Sequence, residues 1–165
     1  MSNHLRLRVR ACVRGFTLIE LLITVAILAL LAGGAMTFAD MAVRRGQEQE
    51  LRTSLRQIRE AIDAYKAAVD SRRVKKAADE SGYPPSLASL SEGVVDASDP
   101  KGRKLYFLRR LPRDPMAEAS LPAEQTWGLR SYDSEPDSPT PGRDVYDVHS
   151  LSKGLALNGQ PYRTW

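Results

Sequence analysis

Cysteine and histidine are scarce in this sequence, which has one cysteine, Cys12, and two histidines, His4 and His149. A lone thiol cannot form a disulfide within the chain. The sequence also lacks a zinc-ligand spacing and a glycine-rich nucleotide-binding loop. We therefore predict no catalytic residue, no cofactor and no metal, and we expect a protein that is not an enzyme. His149 is interpreted as a residue at a strand edge.

Acidic residues are missing before Glu20, whereas arginine occupies positions 6, 8, 10 and 14. The stretch "GFTLIELLITVAILALLAGG" follows at Gly15–Gly34, and no charged residue stands between Leu21 and Ala39. A helix of about 19 residues, rising about 1.5 Å per residue, approaches the thickness of a hydrocarbon core of about 30 Å. Because basic flanks stay in the cytoplasm, the pattern predicts a single membrane span with a cytoplasmic N-terminus and an exported remainder.

Glu20 is the one carboxylate within this apolar stretch. A carboxylate near the centre of a membrane helix costs about 2 to 3 kcal/mol and usually marks a functional position. In an ordinary secretory signal, cleavage follows the apolar region, but here the basic segment ends in Gly15, ahead of it. A cut after Gly15 would leave the helix on the mature chain and create a new amine at Phe16.

The segment Gly15-Phe16-Thr17-Leu18-Ile19-Glu20, preceded by Arg14, resembles the processing site of type IV pilins and type II secretion pseudopilins. The resemblance implies that a prepilin peptidase cuts after Gly15 and methylates the amine of Phe16. It also makes Glu20 the fifth residue of the mature chain. The resemblance is close over this segment, moderate over the following helix and weak over the C-terminal half.

The chemistry of Glu20 suggests a role in assembly. An α-amino group has a pKa near 8, so the new amine of Phe16 is largely cationic at neutral pH. When such helices pack together, the Glu20 carboxylate of one subunit can meet the Phe16 amine of its neighbour, which would set the register more than it would add stability. Two alternatives remain open: Glu20 pairs with the amine of its own chain, or it lies unpaired at the headgroup level.

An amphipathic helix is predicted after the membrane span, because apolar residues recur there at steps of three or four. Its apolar stripe is expected to pack on the chain's own globular part. Gly33-Gly34 and Gly46 lower helix propensity by about 1 kcal/mol each, and Thr37 stands where the family often has proline. The helix should end by Gly82, within "SGYPPSL", and a short helical turn should run through Leu90. The stripe consists of Leu51, Leu55, Ile58, Ile62, Tyr65 and Val69.

The C-terminal half contains short runs rich in aromatic and β-branched residues, separated by turn-rich stretches. "KLYFLRRL", "TWGLRSY" and "DVYDVHS" are predicted to form three antiparallel strands against the helix. A turn is expected at Asn158-Gly159, followed by an extended segment in which Tyr162 and Trp165 pack down. The predicted fold class is α+β, with a long N-terminal helix packed on a small C-terminal antiparallel sheet. The predicted division is a leader (1–15), a transmembrane helix (16–39), its amphipathic continuation (40–80) and a small globular β domain (81–165).

Three further stretches are similar to G-type pseudopilins: "AIDAYKAAVD", "GYPPSLASL" and "LRRLPRDP". Met116 stands where those proteins usually have tryptophan. They hold calcium in a C-terminal loop, and the present sequence offers acidic residues that could supply oxygen ligands. The spacing matches no EF-hand loop, and the end of the sequence lacks the family's acidic cluster, so a solvated acidic loop is the preferred interpretation. The acidic residues are Asp133, Glu135, Asp137, Asp144 and Asp147.

The basic net charge does not predict nucleic-acid binding. The formal charge is +4, and the predicted leader contributes four arginines and no acidic residue, so its removal leaves a charge near zero. The remaining basic clusters, such as Arg44-Arg45 and Arg109-Arg110, are far apart along the chain and are typical of solvated surfaces.

The resemblance implies a pseudopilin, a structural subunit of a type II secretion pseudopilus-like fibre in the inner membrane, with its C-terminal domain in the periplasm. The implied partners are copies of itself, other pseudopilins, the prepilin peptidase, and a membrane platform driven by a cytoplasmic ATPase. One alternative is a type IV minor pilin for adhesion or DNA uptake. Another is a soluble periplasmic binding protein with a Sec-type signal cut near Ala39. The first residue of the mature protein separates these classes.

Overall fold

The structure, a computed structural model, describes residues 15–165, with the backbone alone for residues 34–37. The predictions made for His4, Cys12 and the leader arginines, and for the side chain of Thr37, lie outside the described residues. The chain divides into two compact units, Met1–Ala42 and Val43–Trp165, which are described separately.

Helix α1 runs from Leu18 to Asp70. It begins where Thr17 Oγ1 accepts a hydrogen bond from the backbone N–H of Glu20 at 3.3 Å. The carbonyl of Thr17 accepts from the N–H of Leu21 at 3.1 Å. Thr17 is thus the N-cap, since its side chain satisfies a backbone donor that has no partner inside the helix.

Within Val43–Trp165, the second half of α1 forms one side of the hydrophobic core. The predicted apolar stripe is confirmed: Leu51 and Ile58 have no exposed surface, and the other four members are at most 7% exposed. Because this face repeats with the helical period, the helix buries it continuously. The residues packed around it include Leu87, Leu90, Trp127, Val145, Val148 and Tyr162.

The C-terminal end of α1 is closed by a Schellman motif. Arg72 adopts a φ of +61°, the left-handed conformation that usually belongs to glycine. The N–H of Arg72 donates to the carbonyl of Val69, and the N–H of Arg73 donates to that of Ala68, both at 2.8 Å. The helix therefore ends well before Gly82, as expected, and ten residues before the predicted boundary at residue 80.

Four short strands follow α1 and the short helix α2 (Ala88–Glu92). Strand β1 (Val94–Val95) pairs antiparallel with β2 (Lys104–Leu105). Strand β3 (Trp127–Arg130) pairs antiparallel with β4 (Asp147–Ser150), with Gly128 opposite His149. The α+β class, a long N-terminal helix with a small C-terminal antiparallel sheet, is confirmed.

An antiparallel strand forms in each of the three predicted segments, but "KLYFLRRL" contributes only its first two residues. Lys104 and Leu105 alone form strand β2, and β2 belongs to a ladder separate from that of β3 and β4. The N–H groups of Phe107 and Leu108 donate instead to the carbonyl of Leu90, at 3.0 Å and 2.9 Å. The chain leaves the ladder after Leu105, because the donors of Phe107 and Leu108 bind a carbonyl of α2.

The predicted turn near the C-terminal end is confirmed, and the extended segment after it is not. Gly159 has a φ of +82°, and its N–H donates to the carbonyl of Ala156 at 2.8 Å. The residues Tyr162–Thr164 then form a 3-10 helix. Tyr162 is buried, and its ring centroid lies 5.3 Å from that of Trp165, so the two aromatic rings do pack down.

Candidate processing and assembly site

The predicted cleavage point lies in an irregular, exposed segment before α1. Residues 15–17 have no regular secondary structure, and the Phe16 side chain is 81% exposed. Apart from Gly15 itself and its chain neighbours, no heavy atom of residues 15–165 lies within 4 Å of the position that a Cβ on Gly15 would take. An exposed, non-helical peptide bond is the form that a protease can engage. The geometry therefore permits a cut between Gly15 and Phe16.

Glu20 lies in the first turn of α1 and is exposed. A carboxylate is favourable there because the helix dipole places positive charge at the N-terminus. Within residues 15–165, none of the ion pairs involves Glu20. Its carboxylate is thus presented outward, where a partner from another chain can reach it.

Thr17 is a structural residue of the site that was not predicted from the sequence. Thr17 and Glu20 stand three residues apart and have the T-x-x-E spacing of a capping box, directly before an apolar run. The structure shows the half in which the threonine side chain accepts from the backbone N–H of Glu20. Thr17 therefore fixes the start of the helix and, with it, the position of the carboxylate.

The described side chains in the apolar part of α1 are exposed. Leu18 and Leu30 are 77% and 80% exposed, and every described side chain from Leu18 to Gly33 is exposed. This is the one helix among the described residues that is long and apolar enough to cross a membrane. Its backbone groups bond within the helix, which suits a lipid environment. Such a surface needs lipid or other apolar helices around it.

The residues that follow the apolar run anchor the C-terminal segment of the Val43–Trp165 unit. Glu48 Oε1 accepts hydrogen bonds from the N–H of Leu157 at 2.7 Å and from the Tyr162 hydroxyl at 3.0 Å. Burial, together with this bond to Glu48, raises the pKa of Tyr162. Farther along α1, the guanidinium of Arg52 lies 4.3 Å from the ring centroid of Trp165. The helix thus holds the last turn of the chain by charge and by aromatic contact.

The acidic residues considered for calcium do not converge. Asp144 accepts hydrogen bonds from Ser81, from the Ser131 hydroxyl and from the N–H of Tyr132, and Asp147 binds Arg59. Burial raises the pKa of Asp144, but these hydrogen bonds outweigh it, so the pKa lies below its usual value. Within residues 15–165 the structure contains no group of three or more acidic, histidine or cysteine side chains placed to hold a metal.

His149 lies in β4, in a ladder of two strands, so the interpretation as an edge-strand residue agrees with the structure. Its imidazole occupies the space above Gly128, where a side chain would collide with it. Burial lowers the pKa of His149, and the charge of Arg59 lowers it further, while Asp147 acts in the opposite direction. The histidine packs against the opposite strand.

A family model for the prokaryotic N-terminal methylation motif matches residues 10–36. The match includes Gly15, Phe16 and Glu20, and it extends through most of the uncovered apolar part of α1. No curated protein and no solved structure matches the chain.

Proposed function

We propose that this chain, which carries the N-terminal methylation motif of type IV pilin-like proteins, is a pseudopilin, a structural subunit of a type II secretion pseudopilus-like fibre. One observation carries the proposal: the motif includes the first part of a helix whose described apolar side chains are exposed. A helix of this kind can be held in a membrane and then packed against copies of itself.

Processing is proposed at the bond between Gly15 and Phe16. A prepilin peptidase would cut there and methylate the new amine, which leaves α1 on the mature chain. The exposed, irregular segment before Leu18 supports this step. The arginines lie before the cut, and the span itself contains none. Because basic flanks stay in the cytoplasm, this pattern favours a cytoplasmic N-terminus and a C-terminal domain in the periplasm.

Assembly is proposed to occur through the uncovered helices. In a packed fibre the Glu20 carboxylate of one subunit meets the cationic Phe16 amine of its neighbour, and each charge compensates the other in an apolar setting. The outward position of Glu20 in the first helical turn supports this pairing. The proposed partners are other pseudopilins and a platform in the inner membrane driven by a cytoplasmic ATPase. The role is structural rather than enzymatic.

A type IV minor pilin is the second candidate. Two departures from G-type pseudopilins favour it: Met116 replaces the usual tryptophan, and the end of the sequence lacks an acidic cluster. The N–H of Met116 donates to Oδ1 of the buried Asp114 at 2.7 Å, so the altered position is part of an ordered turn.

Deletion of the gene tests the proposal when secretion and pilus functions are measured in the same strain. We expect secreted enzymes to accumulate inside the cells, and the wild-type gene to restore their export. The Gly15→Leu variant should not restore it, because the precursor stays uncut. Normal secretion with loss of adhesion or DNA uptake would favour the minor pilin. Recovery of a soluble periplasmic form that begins at Asp40 would favour a binding protein with a Sec-type signal.

A further inference from the structure

Within Val43–Trp165, the exposed leucines lie in the loop that joins β4 to the last 3-10 helix. Leu151 and Leu155 are each 55% exposed, and Leu157 is 42% exposed. Single exposed apolar residues are ordinary on protein surfaces, so their exposure alone carries no conclusion. Their position in the Val43–Trp165 unit is more informative.

The backbone of this loop is bound to the first residues of α1 in that unit. Arg44 Nη2 donates to the carbonyl of Leu155 at 3.5 Å, and Glu48 accepts from the N–H of Leu157. Ala156, between the two leucines, is 6% exposed and belongs to the core. The loop therefore turns its alanine inward, beside residues 44–48, and presents both leucines to solvent.

The sequence ties this surface to the end of the apolar run. Arg44 follows Ala39 by five residues within α1, and five helical residues rise about 7.5 Å along the helix axis. The headgroup region on each side of a bilayer is about 5 to 8 Å thick. If the apolar run is embedded, Arg44 and the loop that it contacts stay within reach of the headgroups.

The charges beside the leucines suit an anionic surface. Arg44, Arg45 and Lys153 are all exposed. The Glu48 carboxylate already accepts two hydrogen bonds from the chain, so Asp40 is the exposed acid among residues 40–48. Basic residues next to a membrane span are attracted to anionic lipids, and neighbouring leucines can enter the interface between headgroups and acyl chains.

We propose that Leu155, Leu157, Arg44 and Lys153 form a surface that binds the anionic phospholipids of the bilayer holding the same chain's apolar helix. The inference rests on the proposed membrane anchoring. Before a subunit joins a fibre, this surface would keep its C-terminal domain against the membrane. Extraction into the fibre would then require the leucines to leave the lipid interface.

A spin label at Leu155 tests the proposal in the full chain. Replacement of Cys12 by serine leaves Leu155→Cys as the single labelling site. Val95→Cys is the matched control, because Val95 is 57% exposed and lies in strand β1, outside the loop that carries the leucines. Each labelled chain is placed singly in nanodiscs of neutral phospholipid, with or without phosphatidylglycerol. Power saturation then compares the label's access to lipid-soluble oxygen and to a water-soluble nickel chelate.

With phosphatidylglycerol present, we expect the oxygen-to-nickel access ratio to rise at Leu155 and to stay at its aqueous value at Val95. Arg44→Glu combined with Lys153→Glu should remove the rise. Equal ratios at the two sites would overturn the inference and leave the anchoring intact. A loss of access to the nickel chelate at Leu155 that appears only with two chains per disc would mean that the surface binds a second copy of the chain instead of lipid. Failure of the chain to enter the discs would overturn the anchoring and this inference together. Leu157→Cys provides a second reporter if Leu155→Cys alters the circular dichroism.

Discussion

Arg59 Nε lies 2.7 Å from Asp147 Oδ1, and this ion pair joins α1 to strand β4. The same guanidinium donates through Nη2 to the carbonyls of Val148 and Trp165, both at 3.0 Å. One arginine thus connects the helix to a strand and to the final turn of the chain. Its planar, forked donors suit several acceptors at once, which a lysine cannot reproduce.

The contacts that hold the C-terminal part together all lie within Val43–Trp165. We therefore expect a fragment that begins near Gln47 to fold as a monomer without detergent, because the buried stripe of α1 already has its partner surface. Circular dichroism and sedimentation measure this directly. A fragment that stays unfolded until membrane or a partner is added would show that the internal packing is insufficient.

Replacement of Arg59 by lysine should lower the free energy of unfolding of this fragment by about 1 kcal/mol, because a lysine keeps the charge and loses the forked hydrogen bonds. Urea denaturation gives the value. Arg56→Lys is the control, since Arg56 is exposed on the same helix, and it should leave the stability close to that of the wild type. Equal effects of the two substitutions would mean that the contacts of Arg59 add nothing.

Asp96 should make the free energy of unfolding depend on pH in the acidic range. The hydrogen bond from Arg73, followed by those from Ser98, lowers the pKa of Asp96 from 3.8 to about 2. Because the folded-state pKa is the lower one, the stabilisation is present above pH 3.8 and is lost as the pH falls through about 2. Asp96→Asn should therefore be less stable than the wild type at neutral pH, and the difference should shrink on acidification.

Thermal melting of the fragment at several pH values measures this difference. Asp63→Asn, at an exposed position of α1, serves as the control for general charge effects. A wild-type advantage over Asp96→Asn that stays constant down to pH 2 would contradict the assigned pKa.

The helix could be predicted from the sequence because its signal is local. Residues from Leu51 to Val69 repeat with the helical period, and each of the six stripe positions is buried. The two-residue pairing of Val94–Val95 with Lys104–Leu105 has no such signal, because both strands are too short for an alternating pattern. The hydrogen bonds of Phe107 and Leu108 to Leu90 depend on where the fold places α2, which is not a local property of the sequence.

Only part of the candidate site could be predicted from the sequence. Gly15, Phe16 and Glu20 were identifiable because a short motif stands beside a long apolar run, and their roles remain predictions. The T-x-x-E pattern of a capping box at Thr17 is present in the sequence. It was not predicted as a cap, because Glu20 was interpreted only as an assembly residue. The contact of Arg59 with Asp147 could not be predicted, since it joins residues 88 positions apart.

Glu20→Leu should separate processing from assembly. Cleavage should be largely intact, because the cut lies at Gly15 and removal of a charge eases membrane insertion. Incorporation into fibres should fall by orders of magnitude, since each subunit would carry an uncompensated amine into packed helices at a cost of several kcal/mol, on the order expected for a broken buried pair. Glu20→Asp should be intermediate, because it keeps the charge with a shorter reach.

Crosslinking of the membrane-extracted subunits measures this incorporation, with cleavage followed on the same samples. Normal crosslinked ladders from Glu20→Leu would contradict the pairing between subunits. Glu20 would then be either unpaired at the headgroup level or paired with the amine of its own chain.

The identity of the first residue of the mature protein tests the central claim most directly. Mass spectrometry of the protein extracted from membranes should show a chain that begins at Phe16 and carries a methyl group on its amine. A chain that retains the leader, or a soluble chain that begins at Asp40, would contradict the proposed processing and the fibre subunit built on it.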